Sequence, residues 1–448
     1  MNSDLTTGNV SKKLIKFALP YLLAAFMQTF YGMADLMVVG MYNTASTTTA
    51  VSIGSQIMHM LTVVILGFAM GTTVHVGRCV GAKDKEGAER IVANSIYFFS
   101  MLAVVMTVLL LLLSGVIVKV MSTPTEAVSQ TKEYLVICFI GLPFIIAYNV
   151  ISSIFRGAGD SKRPMYFVAI ACVTNIVLDF LFIGYFSMGA IGAALGTVLG
   201  QSVSVIIALI SLRKVDLGFK LSLKGEKFSK EAVSKVTSVG TPIALQDGFI
   251  QVAFIVITII ANSRGLIAAA SVGIVEKIIC FMFLVPSSML SAISAFTAQN
   301  LGANKTDRAK QSLYYGLAIT VAWGLACAIY NQFLPNTLVG LFTRESDVLA
   351  AGCEYLRSYS FDTMFAAVHF CFSGYFCGSE KSKISFIHNL ISVLAVRIPG
   401  TYLFSKMWPE TLYPMGWAAP LGSLLSALIC IGVYFYYEKQ VVKRKIEK

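Results

Sequence analysis

Gly81-Ala82 recurs 221 residues later as Gly302-Ala303, and Ala88 recurs as Ala309. At the same offset Glu133-Tyr134-Leu135 returns as Glu354-Tyr355-Leu356. Phe155, Gly157, Ser161 and Lys162 return as Phe376, Gly378, Ser382 and Lys383, and Pro20 and Pro242 slip by one position. A chain made of two copies of one unit must fold as two copies of one architecture. Any departure from the repeat then marks where the halves do different work.

The unit itself is a set of apolar segments. Of the 448 residues, 56% are hydrophobic and 13% charged, with a mean hydropathy of +0.74. A soluble chain carries about a quarter charged residues. Stretches long enough to cross about 30 Å of hydrocarbon are expected near 14–40, 49–76, 92–118, 134–155, 165–186 and 190–212. They resume near 237–262, 266–298, 312–334, 350–376, 384–404 and 415–437. The expected fold is an all-α polytopic membrane protein of twelve transmembrane helices in two pseudo-symmetric six-helix bundles, 1–212 and 237–448. A Lys-rich cytoplasmic linker, 213–236, joins them, and a short basic cytoplasmic tail ends the chain. An even number of crossings per copy returns the chain to its starting side. The halves therefore share one orientation, related by an axis along the membrane normal.

The net charge of +12 is spread in a way that fixes orientation. One side collects the N-terminus, the loops at 78–90, 156–163, 213–235, 305–310 and 381–383, and the tail, with 27 of the 35 basic residues. The other side holds Lys119, Lys132, Arg264, Arg344 and Lys406, while Lys277, Arg357 and Arg397 fall inside helices. Basic loops face the cytoplasm, so both termini are expected there, in a multi-pass protein of the cell membrane. The same dispersion leaves no basic face for nucleic acid. Lys12, Lys13 and Lys16 precede an apolar run that continues past Gly40 without a small-residue cleavage site, which reads as a retained first helix. The nine cysteines are scattered singly and read as buried thiols. No Ser-His-Asp order, HExxH, Walker A or redox CxxC motif occurs, so nothing points to an enzyme. His59, His75, His369 and His388 read as packing histidines.

Irregularities in the helices come next. Pro20, Pro143, Pro242, Pro286 and Pro399 lie within helices and favour kinks. Gly192, Gly196 and Gly200 form a GxxxGxxxG run, which reads as close helix–helix approach. Charge inside a bilayer costs about 2.5–3.5 kcal/mol per Asp at a helix centre. Asp35 stands four residues after Tyr31, and Asp179 four after Asn175. That spacing places each pair on one helical face, so Tyr31 can donate to Asp35 and Asn175 can bond Asp179. Thr197 on the following helix can reach the same cluster. Burial penalises a carboxylate's charge and a neighbouring carboxylate penalises it further. Such a pair can hold a proton, or exchange it for Na⁺ on oxygen ligands. Two unrelated acids, each capped locally, remain the alternative. In the second copy the matching positions are Val256 and Gly400, so the acid pair belongs to the first half. Gln28 and Asn149 in the first half, and Gln246, Asp247 and Glu276 in the second, are candidate cavity residues. Glu276 is open to two readings, a contact for a cationic substrate or a packing pair with Lys277 or Arg397.

The chain resembles the multidrug and toxic compound extrusion (MATE) family over essentially its whole length. The likeness rests on the two six-helix repeats, on Gly77-Arg78…Gly81-Ala82-Lys83-Asp84…Ala88 with its echo Gln299-Asn300-Leu301-Gly302-Ala303…Ala309, and on Phe155-Arg156-Gly157-Ala158-Gly159-Asp160. Tyr31, Asp35, Asn175, Asp179 and Thr197 look like the N-lobe cation site of the prokaryotic DinF-type branch, with Pro20 where helix 1 bends. The branch with additional C-lobe acids is matched less well, Asp247 and Asp362 being its nearby counterparts. The resemblance implies secondary antiport: inward H⁺ or Na⁺, the latter held at Asp35 and Asp179, drives outward movement of organic, often cationic, compounds. It implies two bundles framing a central cleft that opens alternately to each side, no cofactor beyond the coupling ion, and a monomer embedded in lipid. Two alternatives stand beside it. A lipid-linked precursor flippase of the wider superfamily would line its cavity with several arginines. An intramembrane enzyme would need a Ser/His constellation that His369 and His388 alone do not make.

Overall fold

The computed structural model describes residues 4–219 and 228–446; the centre of the expected linker, 220–227, and the last two residues of the tail lie outside the described residues. The first copy forms α1 (Val10–Tyr42), α2 (Ala45–Ala82), α3 (Lys85–Val120), α4 (Thr125–Gly157), α5 (Lys162–Tyr185) and α6 (Gly189–Lys214). The second forms α7 (Lys230–Asn262), α8 (Leu266–Gly302), α9 (Thr306–Phe333), α11 (Ser382–Met407) and α12 (Tyr413–Gln440), each long and apolar enough to cross a membrane. Between α9 and α11 runs α10, in two pieces, Ser346–Tyr359 and Phe361–Gly378, interrupted at Ser360.

Three departures from the expected helices have physical reasons. The helix α7 starts at Lys230, before its apolar stretch. Its polar first turn is held by a Lys235–Glu231 pair at 2.6 Å and by the Ser229 hydroxyl, which accepts the Ala232 N–H at 3.3 Å. Hydropathy cannot see such a turn. The other two are π-helical turns, Phe180–Tyr185 at the end of α5 and Val393–Arg397 within α11. Each inserts an extra residue into a turn, and such bulges concentrate at functional sites.

The residues divide into two compact units. The first comprises Met1–Gly8, Ile15–Ala244 and Ala298–Asn304; the second comprises Asn9–Leu14, Leu245–Thr297 and Lys305–Lys448. In the first, Ile65, Leu135, Phe139 and Phe155 are fully buried, and Tyr134 fills the space that a side chain at Gly54 would need. In the second, Val272, Tyr355 and Leu356 occupy the core, Tyr355 being the repeat partner of the buried Tyr134. The helix α3 exposes Met101, Val104, Val108, Leu112 and Val116 at helical spacing, an apolar stripe suited to lipid.

Glycines set the tightest helix contacts. A Cβ at Gly157 would lie 2.8 Å from the Thr73 carbonyl oxygen, and one at its repeat partner Gly378 would lie 2.5 Å from that of Ser294. Both glycine–carbonyl pairs share the 221-residue offset, so one contact is built twice. Within the first unit, the last turns of α2 and α8 cross reciprocally. A side chain at Gly81 would strike the Gln299 carbonyl, and one at Gly302 would strike the Arg78 carbonyl. Backbone cannot retreat as a rotamer can. Gly81→Val or Gly302→Val is therefore expected to cost about 1–3 kcal/mol or more, read as a lowered melting temperature in detergent. Gly77→Ala, whose Cβ would meet nothing closer than 3.4 Å, is the matched control and should melt like the parent. Equal melting of the Val and Ala variants would contradict the crossing.

Candidate ion and substrate site

Three helices of the first unit bring the candidate ion site together. Asp35 on α1 is 4% exposed, and on α5 Asn175 and Asp179 are 2% and 0% exposed. The Thr197 hydroxyl on α6 donates to Asp35 Oδ2 at 3.4 Å. With its amide turned so that both ends find partners, Asn175 donates to Asp35 Oδ1 at 2.7 Å and accepts from the Thr197 N–H at 3.3 Å. Both oxygens of Asp35 thus receive donors. Asp179 lies within hydrogen-bonding reach of Asp35, yet neither of its oxygens receives a donor among the described residues.

The partnering differs in detail from the i,i+4 expectation. Asn175 reaches across to Asp35 instead of bonding Asp179, and Tyr31 is half-buried without a hydrogen bond to Asp35 among the described residues. Asn175 and Thr197 are the donors that Asp35 receives instead. The glycine run explains how α6 comes so close to α5. A side chain at Gly196 would collide with Asp179 Oδ1, and one at Gly200 would lie 3.0 Å from the Ala171 carbonyl. The π-helical turn begins at Phe180, directly after Asp179, and rotates the following residues around the helix axis. No periodicity in the sequence announces that turn. Pro20 sits inside α1, which runs unbroken from Val10 to Tyr42. The adjacent Tyr21 ring carries the buried Arg156 guanidinium at 4.3 Å, a contact the sequence does not signal.

Gly196→Ala tests this packing. It is expected to lower the melting temperature and abolish any transport that depends on the cluster, because the new methyl occupies the place of a carboxylate oxygen. Adding Asp179→Ala should restore the melting temperature without restoring transport. A double variant no more stable than Gly196→Ala would show that the clash lies elsewhere.

Two chemistries fit the site. Two carboxyls this close repel when both are ionised, and where no donor faces one of them such a pair can share a proton or a cation. The oxygens of Asp35, Asp179, Asn175 and Thr197 can equally serve as ligands for Na⁺, since hard cations take oxygen donors.

The candidate cavity residues are placed separately in each unit. In the first, Gln28 is half-buried, whereas Asn149 is buried and donates its amide to the Ile145 carbonyl at 2.8 Å. In the second, Gln246 is buried with its Oε1 lacking a donor among the described residues, and Asp247 is half-buried. Glu276 lies 3.3 and 3.4 Å from the Thr258 hydroxyl. Its neighbour Lys277 is exposed, and Arg397 pairs with Asp362 at 3.3 Å. The packing pair expected of Glu276 is therefore not formed; α11's π-helical turn carries Arg397 to Asp362 on α10 instead.

Arg397 also donates to the Ser423 hydroxyl at 2.6 Å. From Ser423 a polar chain continues to His369 at 3.4 Å, across a 5.6 Å ring separation to His388, and from His388 to Ser373 at 3.0 Å. Both histidines are buried, in keeping with packing roles, but their connection to the ion pair is a feature that single-residue reading missed. Sequence spacing offered one signal, since His369 lies seven residues after Asp362 on the same helical face.

Comparison with known proteins agrees with this architecture. The MatE family model matches residues 20–181 and 242–403, once in each copy. The chain is 28% identical over 445 residues to the probable multidrug resistance protein YpnP of Bacillus subtilis, covering 99% of both. It is 22% identical over 426 residues to the multidrug export protein MepA of Staphylococcus aureus, covering 95% of this chain and 94% of that one. A solved structure described as the outward-facing conformation of a multidrug resistance MATE family transporter superposes with a TM-score of 0.92 at 22% identity, covering 99% of both chains.

Proposed function

The chain belongs to the MatE family, and from that premise we propose that it exports organic cations in exchange for H⁺ or Na⁺ bound at Asp35 and Asp179. It is a multidrug-efflux transporter and not an enzyme. The observation that carries the coupling site is the buried Asp179 carboxyl, which faces Asp35 and receives no donor among the described residues. In the hydrogen-bonded arrangement Asp35 is the ionised partner, because Asn175 and Thr197 donate to both its oxygens. Asp179 carries the proton and donates it to Asp35. Na⁺ would replace that proton if Asn175 turned its oxygen inward. Either ion offsets one of the two carboxylate charges.

Pro20 lies on the helix that bears Asp35, and its missing backbone hydrogen bond makes bending there cheap. Ion occupancy at the cluster bends α1 and closes the cavity of the first copy, expelling substrate outward. Each ion entering down 100 mV supplies about 2.3 kcal/mol, against about 1.4 kcal/mol for a tenfold substrate gradient. Export of a monovalent organic cation gives back that energy, about 2.3 kcal/mol, so at one ion per cycle such a substrate accumulates only through the ion's own concentration gradient. Gln28 and Asn149 in the first unit, and separately Gln246, Asp247 and Glu276 in the second, are the residues we assign to substrate contact. The excess of basic residues on one side supports a plasma-membrane protein with both termini in the cytoplasm, and in this reading the transporter works as a monomer.

The test is reconstitution in proteoliposomes with independently imposed pH and Na⁺ gradients, following a panel of cationic dyes. Efflux driven by one gradient names the coupling ion. Efflux that responds to neither would end the antiport reading.

A further inference from the structure

Leu5 is a lone apolar residue in the polar run Asp4-Leu5-Thr6-Thr7, yet it is 1% exposed. The Asp4 side chain folds the run. Its Oδ1 accepts from the Thr6 N–H at 2.8 Å and from the Thr6 hydroxyl at 2.6 Å, and its Oδ2 accepts from the Thr7 hydroxyl at 2.9 Å. Gly8, at a φ of 71°, then turns the chain into α1, which begins at Val10.

Leu5 is held at both of its backbone groups by side chains from the last turns of α8. Its N–H donates to Gln299 Oε1 at 3.3 Å, and its carbonyl accepts from Asn300 Nδ2 at 3.2 Å. The other end of the Gln299 amide donates to the Gly157 carbonyl of α4 at 2.7 Å. Gln299 and Asn300 are 1% and 0% exposed, so these bonds are sheltered from water. The first copy has Arg78 and Cys79 at the matching positions. A guanidinium only donates and a thiol bonds weakly, so only the second copy offers the amide pair that can clamp a backbone from both sides.

The clamp sits on the reciprocal crossing of α2 and α8, where Gly81 abuts the Gln299 backbone. Any motion that carries the last turn of α8 away from the N-terminal run must break the two bonds to Leu5, and motion of that turn away from α4 must break the bond to Gly157. Five residues beyond Leu5 begins α1, the helix that carries Pro20 and Asp35. We propose that Asp4–Thr7 is a strap linking α1 to the α2–α8 crossing, so that ion-driven movement of α1 controls the parting of these helix ends. Leu5, Gln299 and Asn300 are then positioning residues of the transport cycle. The proposal rests on the transport reading above only for its role in the cycle; the strap itself is measured without transport.

The experiment compares full-length protein with Leu5→Ser, the conservative Leu5→Met, and Asp4→Ala, which unfolds the run while leaving the crossing intact. Hydrogen exchange is followed at residues 77–82 and 298–303 and, as reference, along α3. Leu5→Ser and Asp4→Ala are expected to speed exchange at the crossing about tenfold, the scale of one lost apolar anchor, with α3 and the melting temperature unchanged. Leu5→Met should match the parent. In proteoliposomes the two strap variants should move fewer dye molecules per ion. Unchanged exchange at the crossing overturns the strap, as does acceleration that is uniform over α3, which marks a general stability role. Unchanged dye-to-ion ratio with faster local exchange overturns the coupling. Absence of gradient-driven efflux in the parent protein would instead overturn the transport reading and leave the exchange result to stand alone.

Discussion

Asp179→Asn is expected to reduce gradient-driven dye efflux to the level of protein-free liposomes while leaving the melting temperature at or above the parent value. The amide keeps the shape of the carboxyl. It cannot release a proton, and it cannot offer a charge to Na⁺. A transporter whose coupling ion has no site of differential affinity cannot shift its conformational equilibrium, however well it binds substrate. Stability should not suffer, because Asp179 receives no donor to lose among the described residues. The amide keeps a donor for Asp35 in place of the carboxyl proton. Asp35→Asn makes the informative contrast. It removes the acceptor charge that Asn175 and Thr197 address, so it should abolish efflux and also cost about 1–3 kcal/mol of stability. Efflux at parental rate in folded Asp179→Asn protein would remove this residue from the coupling site. Equal stability losses in the two variants would mean that the roles of ionised and protonated partner are misassigned.

The largest stability effects are expected in the second unit. Asp362 is fully buried, and the Arg397 side chain is 12% exposed. Removing one member of such a pair leaves a buried charge without its partner, at a cost of about 3–5 kcal/mol. Asp362→Asn and Arg397→Leu should each lower the melting temperature strongly. The joint variant should lose far less than the sum, because no charge is then left unpaired. Arg397→Leu should be the worse single change, since it also strips Ser423 of its donor and so loosens the chain through His369 to His388. Additive losses in the joint variant would show that the two residues are held independently.

The repeat and the apolar segments made the helices legible, because both periodicity and length are written along the chain. Asp35, Asn175, Asp179 and Thr197 were legible for a different reason: polar groups in apolar helices are expensive and therefore conspicuous. Their partnering was less so. An i,i+4 spacing says which residues share a face, not which neighbouring helix arrives there, so Asn175 was aimed at Asp179 when it bonds Asp35. The π-helical turns after Asp179 and before Ile398 depend on where a turn relaxes under packing, and no residue type encodes them. Arg397 illustrates the consequence. Its sequence position is compatible with Glu276, and only the turn on which it rides takes it to Asp362. The grip of Gln299 and Asn300 on Leu5 spans nearly three hundred residues and leaves no local trace at all.

The reciprocal glycine crossing also explains which letters of the ancestral duplication can still be read. Gly81 and Gly302 each press against a main-chain carbonyl of the other copy, as Gly157 and Gly378 press against main chain within their own. Main chain has no smaller substitute, so no second change elsewhere can make room for a side chain at any of these four places. Drift is closed to them. The acid cluster is bounded by side chains, which can be exchanged, and there the copies were free to part: Asp35 and Asp179 in one, Val256 and Gly400 in the other. At these four glycines the shared letters record where backbone meets backbone, and at Asp35 and Asp179 the differing letters record where the first copy acquired separate work.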